Sequence, residues 1–231
     1  MSSFRKALTT SVGQKVLTAL TGIALVGFVI VHLLGNLTLF APSGDAFNTY
    51  AAQLDALGPL KIVAELGLVA LFGVHIINGI LLKKNHVAAR PEGYRVVYQS
   101  KGGPSKSNVS SRNMIVSGSI LLLFLILHIW QFRFGPAQAD GYITDLNGEE
   151  VRDLYRLVVE TFSSPLMVAT YVGVMLFLAS HLRHGIWSMF QSLGIIRGQG
   201  SVKFYSLSAL VALVLGVGFL LLPVFLYLNA V

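Results

Sequence analysis

The sequence contains no cysteine. This absence excludes disulfides, cysteine-ligated iron–sulfur clusters and covalently attached c-type haem. Charge is also scarce: 12% of the 231 residues are Asp, Glu, Lys or Arg, whereas 54% are hydrophobic. Soluble domains usually carry about 25% charged residues. The composition therefore indicates an integral membrane protein.

Apolar residues are concentrated in five segments, near 16–40, 60–82, 114–134, 162–190 and 204–228. Each segment is long enough to cross the ~30 Å hydrocarbon layer, which takes about 20 helical residues. The segments are continuously apolar and do not alternate in polarity, so they favour helices over barrel strands. The first apolar run is too long for a cleaved signal peptide. We predict an all-α membrane bundle of five transmembrane helices in one domain, residues 1–231.

Charges of opposite sign are distributed unequally among the loops. The N-terminus, loop 83–112 and loop 191–203 contain twelve Lys or Arg residues but only one acid, Glu92. This positive-inside asymmetry places the N-terminus on the cytoplasmic side of a cell inner membrane and the C-terminus outside. The net charge of +7 is thereby explained without a nucleic-acid partner.

An internal repeat singles out two histidines. The segments "PLKIVAELGLVALFGVHIINGI" (59–80) and "PLMVATYVGVMLFLASHLRHGI" (165–186) align without a gap. They share an initial Pro-Leu, a histidine at His75 and His181, and a glycine four residues later, at Gly79 and Gly185. A glycine at that spacing lies on the same helix face as the histidine and leaves room for a wide, flat group. The repeat selects His181 rather than the neighbouring His184.

The two helices that run in the opposite direction show a weaker repeat. Thr-Gly precedes His32 and Ser-Gly precedes His128, with the glycine ten residues before the histidine in each case. His75 and His181 lie 16 residues, or about 24 Å, from the outer ends of their helices, whereas His32 and His128 lie toward the outside. The four histidines therefore form two layers. We name His75 and His181 the inner pair, and His32 and His128 the outer pair.

Histidine is costly in lipid, so each buried histidine is a candidate functional residue. One such residue alone is as often a hydrogen-bonding group in helix packing. Two facing imidazoles flanked by small residues suit a six-coordinate haem, and each ring's other N–H then needs a carbonyl or hydroxyl partner. Zinc requires three or four ligands at one level. For the haem propionates, Arg183 and Arg133 are candidate partners, although both arginines are also placed to reach the membrane interface.

The sequence resembles a known family, the cytochrome b558-type membrane subunit of succinate dehydrogenase and fumarate reductase. The motifs that carry the resemblance are "DAFNTYAAQLDALGPLKIVAELGL", "SRNMIVSGSILLLFLILHIW" and "HLRHGIWSMFQSLG". The resemblance covers essentially the whole chain. It implies a di-haem electron carrier of the respiratory chain and tricarboxylic acid cycle, in which the first four helices surround two stacked haem b groups.

The resemblance assigns one haem to each pair of histidines, with all four histidines as iron ligands. It implies two partner subunits on the cytoplasmic face, a flavoprotein with FAD and an iron–sulfur protein, which carry out the dicarboxylate chemistry. The complex could form a higher oligomer. The basic loop 90–112 suits a docking surface, although a solvated positive-inside loop explains its charge equally well.

The resemblance also implies a quinone site near the outer pair, and menaquinone as the quinone. A quinone exchanges protons with the outer aqueous phase, for which a carboxylate serves. We rank Asp55 and Arg133 first. The full set of polar candidates at that level is Asn48, Tyr50, Asp55, Glu65, Gln131 and Arg133.

Two other functions fit parts of the sequence. A di-haem subunit of another respiratory complex would show the same histidine layers, and a histidine-lined transporter would pair its histidines with membrane carboxylates, which the helix centres lack. Segment 139–160 is acidic and rich in turn residues. We expect its latter part to form a short amphipathic helix on the outer surface, with Asp145 or Asn147 as its N-cap.

Overall fold

The computed structural model describes residues 10–89, 99–100, 103–104, 113–196 and 201–230. Within these residues, five helices are long and apolar enough to cross a membrane, which confirms the predicted fold class. The long helices are α1 (Ser11–Asn36), α3 (Pro59–Ala88), α4 (Met114–His128), α6 (Pro165–Ser192) and α7 (Ser201–Ala230). A 3₁₀ turn (Leu37–Phe40) extends α1, and a π-helical turn (Ile129–Arg133) extends α4. Short elements are helix α2 (Asp45–Asp55), strands β1 (Gln99–Ser100), β2 (Gly103–Pro104), β3 (Ile143–Leu146) and β4 (Glu149–Arg152), a 3₁₀ turn (Gln138–Asp140), and helix α5 (Leu154–Phe162).

Local sequence signals explain where the long helices begin and end. Pro59 and Pro165 occupy the first turns of α3 and α6, where the missing N–H costs little. The Thr10 hydroxyl caps α1 by accepting a hydrogen bond from Gly13 N at 3.0 Å. Helix α6 ends at Ser192, and Gly194, two residues later, has a φ of +69°, which is accessible to glycine at little cost.

Helix α6 lies at the centre of the bundle. It packs most extensively against α7 and also contacts α1 and α4, whereas α3 packs mainly against α1. The α6–α7 approach is close at Gly216, where an added Cβ would lie 2.7 Å from the Cβ of Ala179. The buried core includes Leu182 and Ile186 from α6 and Ala212 and Leu215 from α7. On the other side of α6, His181 contacts Ser117 of α4, and His128 of α4 faces His32 of α1.

The outer end of the bundle is the end at which α3 and α6 begin. Strands β3 and β4 form an antiparallel hairpin there, joined by Asn147 and Gly148, whose φ values are +57° and +89°. Positive φ at both positions is typical of a type I′ turn. The predicted amphipathic helix is present as α5, but the predicted N-cap was wrong. Asp153 caps α5 by accepting from Arg156 N at 3.0 Å, while Asp145 and Asn147 belong to the hairpin.

The proposed docking loop, residues 90–112, lies almost entirely outside the described residues. Only the backbone of β1 and β2 is described there, as a short antiparallel pair.

Candidate functional site

The outer pair consists of two facing imidazoles. His32 lies on α1 and His128 is the last residue of α4. Their ring centroids are 5.8 Å apart, with an angle of 87° between the ring planes. Two imidazoles that share one metal ion, each at about 2 Å from it, have ring centroids roughly 6 Å apart. The observed separation therefore fits two imidazoles that would share one metal ion.

Aromatic rings surround the outer pair. Phe28 stacks on His32 with centroids 5.4 Å apart, and Phe124 stacks on His128 at 5.5 Å. Phe219 of α7 approaches His32 to 5.8 Å. These rings replace water around the imidazoles with apolar surface, which is the environment that a large hydrophobic macrocycle requires.

The inner pair is hydrogen-bonded by hydroxyl groups from two other helices. Thr21 Oγ1 of α1 lies 3.2 Å from His75 Nδ1, and Ser117 Oγ of α4 lies 3.1 Å from His181 Nδ1. Both hydroxyl residues are buried, at 6% and 4% exposure. The hydroxyl partners expected from the sequence are thus present for both members of the inner pair.

The Thr21 and Ser117 hydroxyl groups also form hydrogen bonds with backbone carbonyls, and these bonds bear on the tautomers of His75 and His181. Thr21 Oγ1 donates its proton to the carbonyl of Leu17 at 2.9 Å, and Ser117 Oγ donates to the carbonyl of Met114 at 3.1 Å. Each hydroxyl has one proton, so in this arrangement, with the proton directed at the carbonyl, the hydroxyl oxygen accepts from the imidazole. Nδ1 therefore carries the hydrogen, and the Nε2 lone pair is left available as a metal ligand.

Glycines adjacent to these hydroxyl residues allow the close approach. A Cβ added at Gly22 or at Gly118 would lie 3.5 Å from Cε1 of the facing inner-pair histidine. By contrast, a Cβ added at Gly79 or Gly185, four residues after each inner-pair histidine, would meet nothing within 4 Å. Space is therefore open beside both inner histidines, as the repeat predicts for a wide, flat group.

Tyr171 of α6 was not predicted as a site residue. Its hydroxyl lies 3.4 Å from His128 Nδ1 and donates a 2.5 Å hydrogen bond to the Gln131 side-chain oxygen. The phenol therefore accepts from His128 Nδ1–H by the same proton count as above. The sequence signal that identifies it is a tyrosine in the middle of an apolar helix, where its hydroxyl needs a partner. Tyr171 is 5% exposed.

The choice between His181 and His184 rests on the hydroxyl contact. The structure brings His181 to Ser117, whose Oγ lies 3.1 Å from His181 Nδ1. His184 lies three residues further along α6, also near His181. The repeat and the contact with Ser117 both favour His181 as the ligand.

Arg183 faces helix α7. Its NH2 group donates a hydrogen bond to the Tyr205 hydroxyl, and the guanidinium lies 5.2 Å from the Tyr205 ring. The buried Nε has no hydrogen-bond partner among the described residues. Because Arg183 follows His181 by two residues, it lies about 200° around the helix from that histidine.

Three of the polar residues that are candidates for the quinone site belong to an ion network at the outer end. Arg133 forms a bidentate pair with Glu65, with nitrogen–oxygen distances of 2.9 and 3.1 Å. Lys61, which was not predicted, contacts both Glu65 at 3.8 Å and Asp55. This network links α2, α3 and the π-helical turn after His128. Its members are half-exposed, from 30% to 55%.

Two other polar candidates have structural roles. Asn48 is 3% exposed, donates to Asp153 Oδ1 at 2.8 Å and accepts from Tyr155 N at 2.9 Å, so both ends of its amide are hydrogen-bonded within the protein. Tyr50 packs against Gly35, where an added Cβ would lie 2.4 Å from the Tyr50 ring. These contacts anchor the outer elements to the bundle.

The residues present fit haem b. The arrangement supplies facing imidazoles, an acceptor on Nδ1 of His75, His181 and His128, and open space beside glycines. Within the described residues no cluster of three or more His, Asp or Glu side chains could hold a metal ion.

The chain is similar to one curated protein over most of its length. It is 27% identical over 208 residues to the succinate dehydrogenase cytochrome b558 subunit of Bacillus subtilis (strain 168). The match covers 85% of this chain and 89% of that protein. No protein-family model and no solved structure matches the chain. The resemblance inferred from the motifs is thereby confirmed.

Proposed function

We propose that this chain is the di-haem b membrane subunit of a succinate:quinone oxidoreductase. In this proposal it carries electrons between an iron–sulfur subunit and menaquinone, while a flavoprotein subunit with FAD handles succinate and fumarate. The observations that carry the proposal are the facing imidazoles of His32 and His128 and the Nδ1 partner of His75, His181 and His128. The similarity to a succinate dehydrogenase subunit supports the choice of complex.

Each pair of histidines has a defined task. His75 with His181 would hold one haem, and His32 with His128 the other. Bis-histidine ligation leaves no open iron position, so the two groups would supply one-electron transfer across the bilayer and not oxygen chemistry. Thr21, Ser117 and Tyr171 keep Nε2 of their histidines unprotonated, and the phenylalanines around the outer pair exclude water.

The charge asymmetry supports an inner-membrane orientation with the inner pair toward the cytoplasm. The iron–sulfur and flavoprotein subunits would therefore dock on the face that carries the basic segment between α3 and α4. Arg183, whose buried Nε has no partner among the described residues, is the proposed partner of a propionate on that side.

The quinone site is proposed at the outer end, beside the outer pair. Arg133 follows His128 by five residues and is held by Glu65, so its position relative to the histidine is defined. Asp55 is 55% exposed and contacts Lys61, so it can exchange protons with water. In this proposal Arg133 binds the quinone oxygen, and Asp55 and Glu65 pass protons to the aqueous phase.

Purification of the intact complex tests the haem assignment. We expect two haem b groups per copy of this chain by absorbance of the reduced pyridine complex. His181→Ala is expected to remove the haem of the inner pair and keep the other, whereas His184→Ala, the matched control three residues away, keeps both. One haem or none in the wild-type complex would refute the proposal, and loss of a haem in His184→Ala alone would reverse the ligand choice. Co-purification with a succinate-oxidising flavoprotein distinguishes this complex from other respiratory enzymes.

A second experiment tests the quinone site. Arg133→Gln is expected to raise the KM for a menaquinone analogue at least tenfold and leave succinate oxidation by a soluble dye unchanged. Glu160→Gln serves as the control, because Glu160 is an exposed outer carboxylate outside the network. An unchanged KM in Arg133→Gln would remove this residue from the site.

A further inference from the structure

Helices α1 and α4 each carry a hydroxyl residue that contacts an inner-pair histidine and, further along, a histidine of the outer pair. The spacing between the two residues is the same on both helices. Thr21 precedes His32 by eleven residues on α1, and Ser117 precedes His128 by eleven residues on α4. Eleven residues make three helical turns, so both groups lie on the same helix face, about 16.5 Å apart. Helices α1 and α4 therefore each carry an outer-pair ligand and an acceptor for an inner-pair ligand.

The two pairs differ in the strength of their acceptors. Both inner histidines have an aliphatic hydroxyl at 3.1 to 3.2 Å, whereas His128 has a phenol at 3.4 Å that is itself bonded to Gln131. An acceptor on Nδ1–H makes the imidazole a more basic, stronger electron donor to iron. A stronger donor stabilises the oxidised metal and lowers its reduction potential.

We propose that Thr21 and Ser117 are positioning residues that lower the reduction potential of the haem held by the inner pair, without affecting the other haem. The inference rests on the proposed function, because it requires haem at the inner pair. It goes beyond the ligand assignment by giving each hydroxyl a separate, measurable effect on one of two haems.

Packing alone does not explain these hydroxyl groups. Serine and threonine in helices commonly donate to a carbonyl one turn earlier. Thr18 does this with Gln14 O at 2.8 Å, on the same helix and one turn before Thr21. Its side chain has no hydrogen bond to a histidine among those described. Thr18 is therefore a matched control for the loss of a helix-bonded hydroxyl.

Potentiometric titration of the haem absorbance in the purified complex tests the proposal. In Thr21→Val and Ser117→Ala, we expect the ratio of reduced to oxidised inner-pair haem at a fixed ambient potential to rise about tenfold. For a one-electron couple, this corresponds to an upward shift of about 59 mV. The other haem keeps its potential. Thr21→Ser, which retains the hydroxyl, and the control Thr18→Val are both expected to titrate as wild type.

Measuring the haem content of each variant distinguishes failure of the positioning role from failure of the proposed function. Selective loss of the inner-pair haem in Thr21→Val, restored in Thr21→Ser, supports the positioning role. Unchanged haem potentials in both Thr21→Val and Ser117→Ala would overturn the positioning role. An equal shift of the potential in Thr18→Val would also overturn it. If these variants still bind two haems, the proposed function is unaffected by either result. Loss of both haems in Thr21→Val would also overturn it, since the residue would then serve the bundle as a whole. A wild-type complex without haem refutes the proposed function instead.

Discussion

Replacement of Asn48 by alanine separates a structural role from quinone binding. The Asn48 side chain joins α2 to the start of α5 through two partly buried hydrogen bonds, one to the Asp153 carboxylate and one from the Tyr155 backbone N–H. Asp153 is also the N-cap of α5. The substitution therefore removes the link between two outer elements and leaves one buried N–H without its partner.

The expected energy follows from the two bonds. A hydrogen bond to a charged group contributes roughly 1.5–3 kcal/mol, and a neutral bond about 1 kcal/mol. Their loss should destabilise the attachment of α5 by about 3 kcal/mol. Because 1.4 kcal/mol corresponds to a factor of ten, local opening of α5 should become about a hundredfold more frequent.

Hydrogen exchange measured by mass spectrometry checks this prediction on peptides from residues 153–162. Those amides should exchange faster in Asn48→Ala, and peptides from the centre of α6 should not change. Thr49→Ala is the control, because Thr49 is the exposed neighbour of Asn48. Unchanged exchange at α5 in Asn48→Ala would refute the reasoning. A raised KM for the quinone in Asn48→Ala, without faster amide exchange in α5, would indicate that Asn48 contributes to the quinone site.

Two further predictions concern the outer end. Gly135→Ala should lower the unfolding temperature in detergent, because its Cβ would lie 1.9 Å from the Gln131 carbonyl oxygen and force the backbone to move; an unchanged transition would contradict this. The hydrogen bond from Tyr142 and the neighbouring Arg156 lower the pKa of Glu160. The stability from Glu160 is therefore present above its unfolded pKa, near 4.5, and is lost as the pH falls through the lower folded pKa. Glu160→Gln should show less acid destabilisation than wild type, and equal acid sensitivity would contradict the assignment.

The five long helices were predictable because their length and apolarity are set by the thickness of a bilayer. The predicted start of α3 at residue 60 was within one residue of Pro59, whereas the predicted start of α6 at residue 162 was three residues early, because residue 162 ends α5. The repeat placed His75 and His181 at one depth because helical rise converts residue number into distance. These predictions depend only on position along one helix.

The missed features depend on how helices are rotated relative to one another. Thr21 and Ser117 were noticed only as register markers, since their contacts to histidine require knowledge of which faces meet. The same applies to Tyr171 on α6. The hairpin at Asn147 and Gly148 was predictable, because Asn-Gly is a strong signal for a two-residue turn, but Asp145 and Asn147 were interpreted as candidate helix caps.

The alternation of the histidine pairs along the chain determines the order in which they become complete during synthesis. The outer pair comes from α1 and α4, the first and third long helices, and the inner pair from α3 and α6, the second and fourth. A nascent chain therefore possesses both outer histidines once its third span has entered the bilayer. The inner pair becomes complete only when the fourth span has entered. Truncated chains that end after α4 would retain one pair of imidazoles and lack the other, so insertion intermediates are chemically distinct from the finished bundle.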